Sequence, residues 1–293
     1  MTPELSGAGT IGEAWLALRA AFRAAGLETA DLDARLLVTK LSGLESHQLV
    51  TDGDRALSND LRDRLSDAAS TRLEGKPVHR ILGARDFYGL ELGISPATLE
   101  PRPDTETLVD AAVALVRTTI AAKGVCSILD LGIGTGAIGL ALVAECEEAR
   151  CLGIDISAEA VNTSLANART NGLSDRYQAL VGDWFSGLEE TFDLIVSNPP
   201  YIPTADLATL SREVIDHDPM LALDGGSDGG DAYRVIAAGA AARLEPAGHV
   251  GLEIGIGQGD MVTALFVDAG FEPAGAFADL GGVERVLLFR MRL

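Results

Sequence analysis

A chain of 293 residues, 47% of them hydrophobic, is long enough for about two domains with substantial cores. Its formal net charge of −20 repels phosphate backbones and argues against DNA or RNA as the main partner. No apolar run reaches the ~18–20 residues that span a bilayer, and the opening residues lack an export signal, so a soluble cytoplasmic protein with no membrane attachment is expected.

Residues 10–74 carry helical periodicity. Thr10 with Glu13 forms a capping box, Ile11, Trp15, Leu18 and Phe22 then share a face, and Gly26 supplies a stop. A second helix is expected over 30–42, with Leu32, Leu36, Leu37 and Leu41 inward and Gly43 after it. A third covers 58–74, with Ser58 as N-cap, Leu61, Leu65 and Leu73 apolar, and Gly75 at its end. Residues 1–75 thus read as a small helical bundle that either caps the remaining chain or docks a partner. Residues 76–103 read as a linker. Within them Phe87-Tyr88-Gly89-Leu90-Glu91-Leu92-Gly93-Ile94 alternates enough for a strand or hairpin. Next comes a stiff polar corner, Pro101-Arg102-Pro103-Asp104-Thr105-Glu106. Asp104 is placed to N-cap a helix over 104–122, and Arg102 suits a salt bridge or a ligand clamp.

From residue 126 strands and helices alternate. Strand 128–131 leads through Gly132-Ile133-Gly134-Thr135-Gly136 into a helix at 137–144. Strand 151–154 ends on Asp155, and Ser157 caps a helix to 171. Strand 178–181 ends at Gly182-Asp183-Trp184-Phe185, and strand 192–197 runs into Asn198-Pro199-Pro200-Tyr201. After an Asp- and Gly-rich loop come helix 231–243, strand 249–254, helix 258–269 and strands 271–278 and 284–291. The last two are close enough for a hairpin, which puts an antiparallel strand in the sheet. The class is α/β, with a largely parallel sheet covered on both faces over residues 104–293. Cys126, Cys146 and Cys151 lie in or beside apolar segments without C-x-x-C spacing, as buried free thiols do, and suggest no metal.

Ligands of such sheets bind outside the carboxyl ends of the strands. Glycines after the first strand let a ligand approach the backbone at a helix N-terminus. Gly134 to Gly139 matches the G-x-G-x-x-G fingerprint, with Asp155 about 20 residues on, so a dinucleotide enzyme is the natural rival. Other residues favour a different cofactor. Asp130 before the glycines suits an ammonium and would repel a pyrophosphate. Asp155 suits ribose hydroxyls, and Asp183-Trp184 suits an adenine amine and ring. Together they describe S-adenosyl-L-methionine.

The prolines of Asn198-Pro199-Pro200-Tyr201 end their strand and stiffen the turn. The Asn198 side-chain oxygen and the Pro199 carbonyl can accept both N–H protons of a planar –NH₂. That aims a weakly nucleophilic nitrogen at a sulfonium methyl, with Tyr201 covering the group. Substrates lacking two N–H donors leave buried acceptors unpaired and are rejected by up to about 10⁴.

On these stretches, with Asp86-Phe87-Tyr88-Gly89, Asp218-Pro219, Leu221 to Gly226, Asp231-Ala232-Tyr233-Arg234 and Glu253-Ile254-Gly255, the chain resembles the HemK family of protein-(glutamine-N5) methyltransferases. The resemblance runs the length of the chain and implies a seven-stranded, Rossmann-like class I methyltransferase fold. It implies methylation of the glutamine in the Gly-Gly-Gln motif of peptide chain release factors, tuning translation termination, with residues 1–75 helping to dock that substrate. Cofactor contacts carry over to Asp130, Gly132, Ile133, Gly134, Thr135, Gly136, Asp155, Asp183, Trp184 and Asn198. The glutamine amide falls at Asn198, Pro199, Pro200 and Tyr201, with Asn198 and Tyr201 as the catalytic pair. Two positions depart from the family pattern: Asp104 replaces a glutamate, and Glu100 an apolar residue. Alternatives are a ribosomal-protein glutamine methyltransferase, an adenine-N6 DNA methyltransferase and a non-enzymatic cofactor-binding adaptor. A monomer is expected.

Overall fold

In this computed structural model residues 5–292 are described, and the chain folds as two compact units, Met1–Gly83 and Ala84–Leu293. The smaller unit is helical: α1 Ile11–Ala24, α2 Ala30–Ser42, α3 Gln48–Thr51, α4 Asn59–Leu73 and α5 Val78–Leu82. The capping box forms, with Thr10 Oγ1 accepting from the Glu13 N–H (3.2 Å) and the Glu13 carboxylate from the Thr10 N–H (3.2 Å). Leu18, Phe22, Leu37 and Leu65 fill a core of the unit's own. The inward stripe of α2 differs from the expected one. Leu32 is 42% exposed, and Asp33 is buried instead, accepting from the Arg72 guanidinium at 2.7 Å. A buried ion pair satisfies both charges from within the bundle, so an acidic position belongs to the core face.

The larger unit opens with a hairpin, β1 Ala84–Phe87 and β2 Leu90–Gly93, turned at Tyr88 and Gly89, both in the left-handed region. Asp104 does not cap the helix that follows. Pro103–Thr105 forms a single 3₁₀ turn without a side-chain cap, and Asp104 pairs with Arg285 at 2.9 Å. Then come α6 Glu106–Lys123, β3 Cys126–Leu131, α7 Ala137–Glu145, β4 Ala149–Asp155, α8 Ala158–Thr170, β5 Tyr177–Val181 and β6 Phe192–Ser197. The chain continues through α9 Arg212–His217, α10 Asp231–Ala240, β7 Leu244–Glu253, α11 Gly259–Asp268, β8 Phe271–Ala278 and β9 Glu284–Met291.

Seven strands form one sheet in the order β5-β4-β3-β6-β7-β9-β8, with β9 alone antiparallel to both its neighbours. The two-residue period sorts the sheet's side chains into two cores. Ile128, Leu194 and Val196 pack with α6, α7, α8 and the hairpin. Leu129, Leu131, Ile195, Val250 and Leu252 pack with α10 and α11 on the opposite face. The three cysteines are buried and free, and among the described residues no helix is long and apolar enough to cross a membrane.

Candidate active site

The strand order reverses direction at β3: the chain adds β4 and β5 on one side of it and β6 on the other. At that switch point the diverging loops leave a crevice. Here a cavity of about 420 Å³ opens, the size of a small-molecule site. The carboxyl ends of β3, β4, β5 and β6 supply its floor.

Gly132, Gly134 and Gly136 have φ of 70°, 52° and 82°, a left-handed run that side chains resist, so the loop curls tightly and presents its backbone to the cavity. Asp155 holds it in place. One carboxylate oxygen accepts from the Gly134 N–H (2.9 Å) and the other from the Ser157 N–H (2.9 Å). Asp183 and Trp184 line the wall after β5. Trp184 sits at φ 50°, a conformation that costs an L-residue on the order of 1–3 kcal/mol, and strain of that kind collects at ligand sites. Its indole packs on the second core while lining the cavity, so it is both structural and available to a ring.

The structure brings Gly132, Ile133, Gly134, Thr135, Asp155, Asp183, Trp184, Asn198 and Pro200 together around this one cavity. Asp130, Gly136, Pro199 and Tyr201 are not among the residues lining it. Asp130 is the clearest departure from the expected ammonium contact. Strand alternation turns it to the α7 side, where it is 1% exposed. One oxygen accepts from the Gly139 N–H (2.9 Å) and the other has no partner among the described residues. Burial pushes its carboxyl up to about 7, opposed by the Gly139 bond and assisted by the Asp155 charge. Asp130 therefore props the start of α7 from beneath.

Tyr201 also departs from its expected covering role. Its ring packs against the second core and against Gly255, where an added Cβ would meet it at 3.0 Å. Burial pushes its phenol up to about 12, and its carbonyl accepts from Gln258 Nε2 (2.8 Å). Asn198 faces the cavity with Nδ2 donating to Thr105 Oγ1 at 3.2 Å.

Three further polar residues had no role assigned to them from the sequence. Asn167 of α8 ties the hairpin to the glycine loop, donating to the carbonyls of Gly93 (3.1 Å) and Thr135 (2.9 Å). Thr105 supports Asn198. Glu253, at the end of β7, is 2% exposed, and burial pushes its carboxyl up to about 7. A lone carboxylate amid the apolar residues 250–254 was the available signal for it.

The mouth is acidic, with Glu100, Asp155, Asp183, Asp224 and Asp231 on the lining and Arg102 as its only arginine or lysine. Both positions that depart from the family pattern are paired: Glu100 with Arg85, and Asp104 with Arg285. Arg102 is held by Asp218 at 2.7 Å. Such a lining suits a cationic ligand, and among the described residues it offers a pyrophosphate no arginine or lysine without an acidic partner.

Known proteins agree with this architecture. The family described as "Methyltransferase small domain" matches residues 105–227, and that described as "PrmC N-terminal domain" matches residues 13–83. Among solved structures, the hMettl16 catalytic domain in complex with the MAT2A 3'UTR hairpin 6 has a TM-score of 0.53 at 17% identity, covering 78% of this chain and 83% of its own. A methyltransferase from Pyrococcus furiosus has a TM-score of 0.50 at 18% identity, covering 76% and 98%. At these identities the likeness establishes the Rossmann-like class I methyltransferase fold and no more. The sequence relatives are much nearer. Release factor glutamine methyltransferase of Agrobacterium fabrum is 46% identical over 98% of this chain and 100% of its own. Its counterpart in Bradyrhizobium diazoefficiens is 44% identical, covering 99% of each. With both units matched and relatives of this identity covered end to end, the chain belongs to the release factor glutamine methyltransferase family.

Proposed function

We propose that this enzyme transfers the methyl group of S-adenosyl-L-methionine to the side-chain amide nitrogen of the glutamine in the Gly-Gly-Gln motif of peptide chain release factors. The cofactor supplies an electrophilic methyl on a sulfonium. Backbone groups of Gly132 to Thr135, the Asp155 carboxylate and the Asp183-Trp184 corner would hold it. The acidic lining fits its positive charge, and the absence of a phosphate clamp fits a nucleoside rather than a dinucleotide.

The observation that carries the reading is Asn198, on the cavity wall with its amide nitrogen spent on Thr105. Its oxygen remains for the acceptor, and a planar amide nitrogen needs orientation more than it needs a base. The Pro199 carbonyl is the second acceptor, held still by the proline that follows. Tyr201 contributes by packing behind the turn, which keeps Asn198 and Pro199 in place. We take the enzyme to act as a monomer in the cytoplasm, with the helical unit recognising the release factor.

The test is transfer of label from radioactive S-adenosylmethionine, offered a release factor, a ribosomal-protein mixture and duplex DNA, with mass spectrometry locating the mark. Label on the Gly-Gly-Gln glutamine is expected. Label confined to a ribosomal protein or to DNA would replace the proposed substrate.

A further inference from the structure

Behind Asn198 lies a polar group that the transfer step has so far not used. Ser197 of β6 pairs with Leu252 of β7, so Asn198 and Glu253 leave adjacent strands at the same level. Val286 of β9 pairs with Glu253 on its other side. Asn198 Nδ2 donates to Thr105 Oγ1 at 3.2 Å, both residues act on the Glu253 carboxyl to hold its acidity down against burial, and Glu253 Oε2 has no partner among the described residues. The other ionisable groups acting on it come from every neighbouring element: Arg285 from β9, Asp104 ahead of α6, Tyr201 after β6 and Tyr233 from α10. An apolar side chain would avoid the desolvation of a carboxylate here, so stability alone does not account for the residue.

We propose that Glu253, acting with Thr105, is a positioning residue that fixes which way round the Asn198 amide lies. An asparagine amide has two orientations of nearly equal shape. In one, Oδ1 meets the N–H protons of the acceptor. In the other, N–H meets N–H, and the acceptor nitrogen loses its aim. With Thr105 Oγ1 accepting one N–H of Asn198 and the acceptor-only Glu253 carboxylate, at the end of the adjacent strand, as the partner for the other, only the first orientation is satisfied. This rests on Asn198 being the acceptor clamp. No proton is transferred, so Glu253 acts on orientation alone. Because the carboxyl is pushed up to about 7, its acceptor strength changes within the working pH range.

The experiment compares wild type, Glu253→Gln and Glu253→Leu in the full-length enzyme, at saturating S-adenosylmethionine, from pH 6 to pH 8.5. The acceptor is whichever macromolecule the wild type labels. Failure of release factors as substrate would therefore be seen separately, in the wild type. Glutamine still accepts from Asn198 through Oε1, so Glu253→Gln is expected to keep kcat within about threefold of wild type at pH 8 and to lose the fall in kcat on the acid side. Glu253→Leu is expected to lose about 10- to 100-fold in kcat, the scale for partners that orient a functional ligand, with KM and S-adenosylhomocysteine binding held within about threefold. Wild-type kcat in Glu253→Leu would overturn the proposal. So would an unchanged acid limb in Glu253→Gln, or loss of S-adenosylhomocysteine binding in parallel with kcat in both variants.

Discussion

Asp130→Asn separates two roles for the residue that opens the glycine loop. The Asp130 carboxyl is pushed from 3.8 up to about 7, chiefly by burial. A raised folded-state pKa means that the folded protein holds this proton more tightly than the unfolded chain. The stabilisation is thus complete below about pH 4 and lost as pH rises through about 7. Between pH 5 and pH 8 the loss is about 2–3 kcal/mol, since each tenfold difference in proton affinity between the folded and unfolded chain is worth about 1.36 kcal/mol. Asparagine does not titrate, so the variant gains on wild type by that amount over the interval. Its –NH₂, placed where the carboxyl oxygen has no partner, adds a penalty of about 1–3 kcal/mol that is independent of pH. The diagnostic is therefore the slope and not the intercept. Trp15 and Trp184 are the only two tryptophans, so a Trp15→Phe background leaves Trp184 to report urea unfolding of the larger unit. A gap between the two proteins that stays constant from pH 5 to pH 8 would refute the buried, propping role. S-adenosylhomocysteine binding supplies the contrast. A direct ammonium contact predicts a loss of about 10- to 100-fold in Asp130→Asn, whereas a carboxyl beneath the loop predicts a change within about threefold.

Asn198→Ala is expected to lower kcat by about 100-fold or more, the scale for removing one positioned hydrogen-bonding group, while calorimetry shows S-adenosylhomocysteine still bound. The larger unit has cores of its own, so a chain lacking residues 1–83 is expected to fold and bind S-adenosylhomocysteine. The same truncation should lose release-factor methylation at micromolar substrate, and undiminished methylation would remove the docking role. Gly139→Ala would place a Cβ 2.6 Å from Cys151 Sγ and 3.0 Å from Asp130 Oδ2, and overpacking of this kind costs about 1–3 kcal/mol. Adding Cys151→Ala to Gly139→Ala should recover part of that loss in a denaturation series, so that the double variant is less damaged than the sum of the singles.

Much of the site was legible because chain breaks and chemistry coincide. Three loops that end parallel strands carry residues that the backbone requires there: the glycines after β3, Asp155 and Ser157 after β4, and the prolines after β6. The terminal strands were legible to the residue, since Gly270 and Gly282 break the chain just ahead of each. What escaped depends on which way side chains point. Ile128 and Asp130 share one face of β3, and Leu129 and Leu131 share the other, so alternation already directs Asp130 away from the cavity. Asp33 reads as a solvated position until Arg72, 39 residues later, closes on it. Glu253 gains its meaning only from Ser197 and Val286 on the adjoining strands, a relation fixed by sheet order and invisible in linear spacing.

The placement of β9 has a consequence for how the enzyme comes into being. During synthesis β8 emerges before β9 but does not take the free edge of β7, which belongs to β9 in the finished sheet. Its only neighbour in the sheet is β9, which is made after it. The nascent sheet therefore waits at β7 with its backbone edge unpaired until β9 slots in and brings β8 with it. Glu253 lies on that waiting edge, and Arg285 arrives with the strand that closes it. The glycine loop and its flanking strands can assemble early on the ribosome, while the support beneath Asn198 is among the last parts to form.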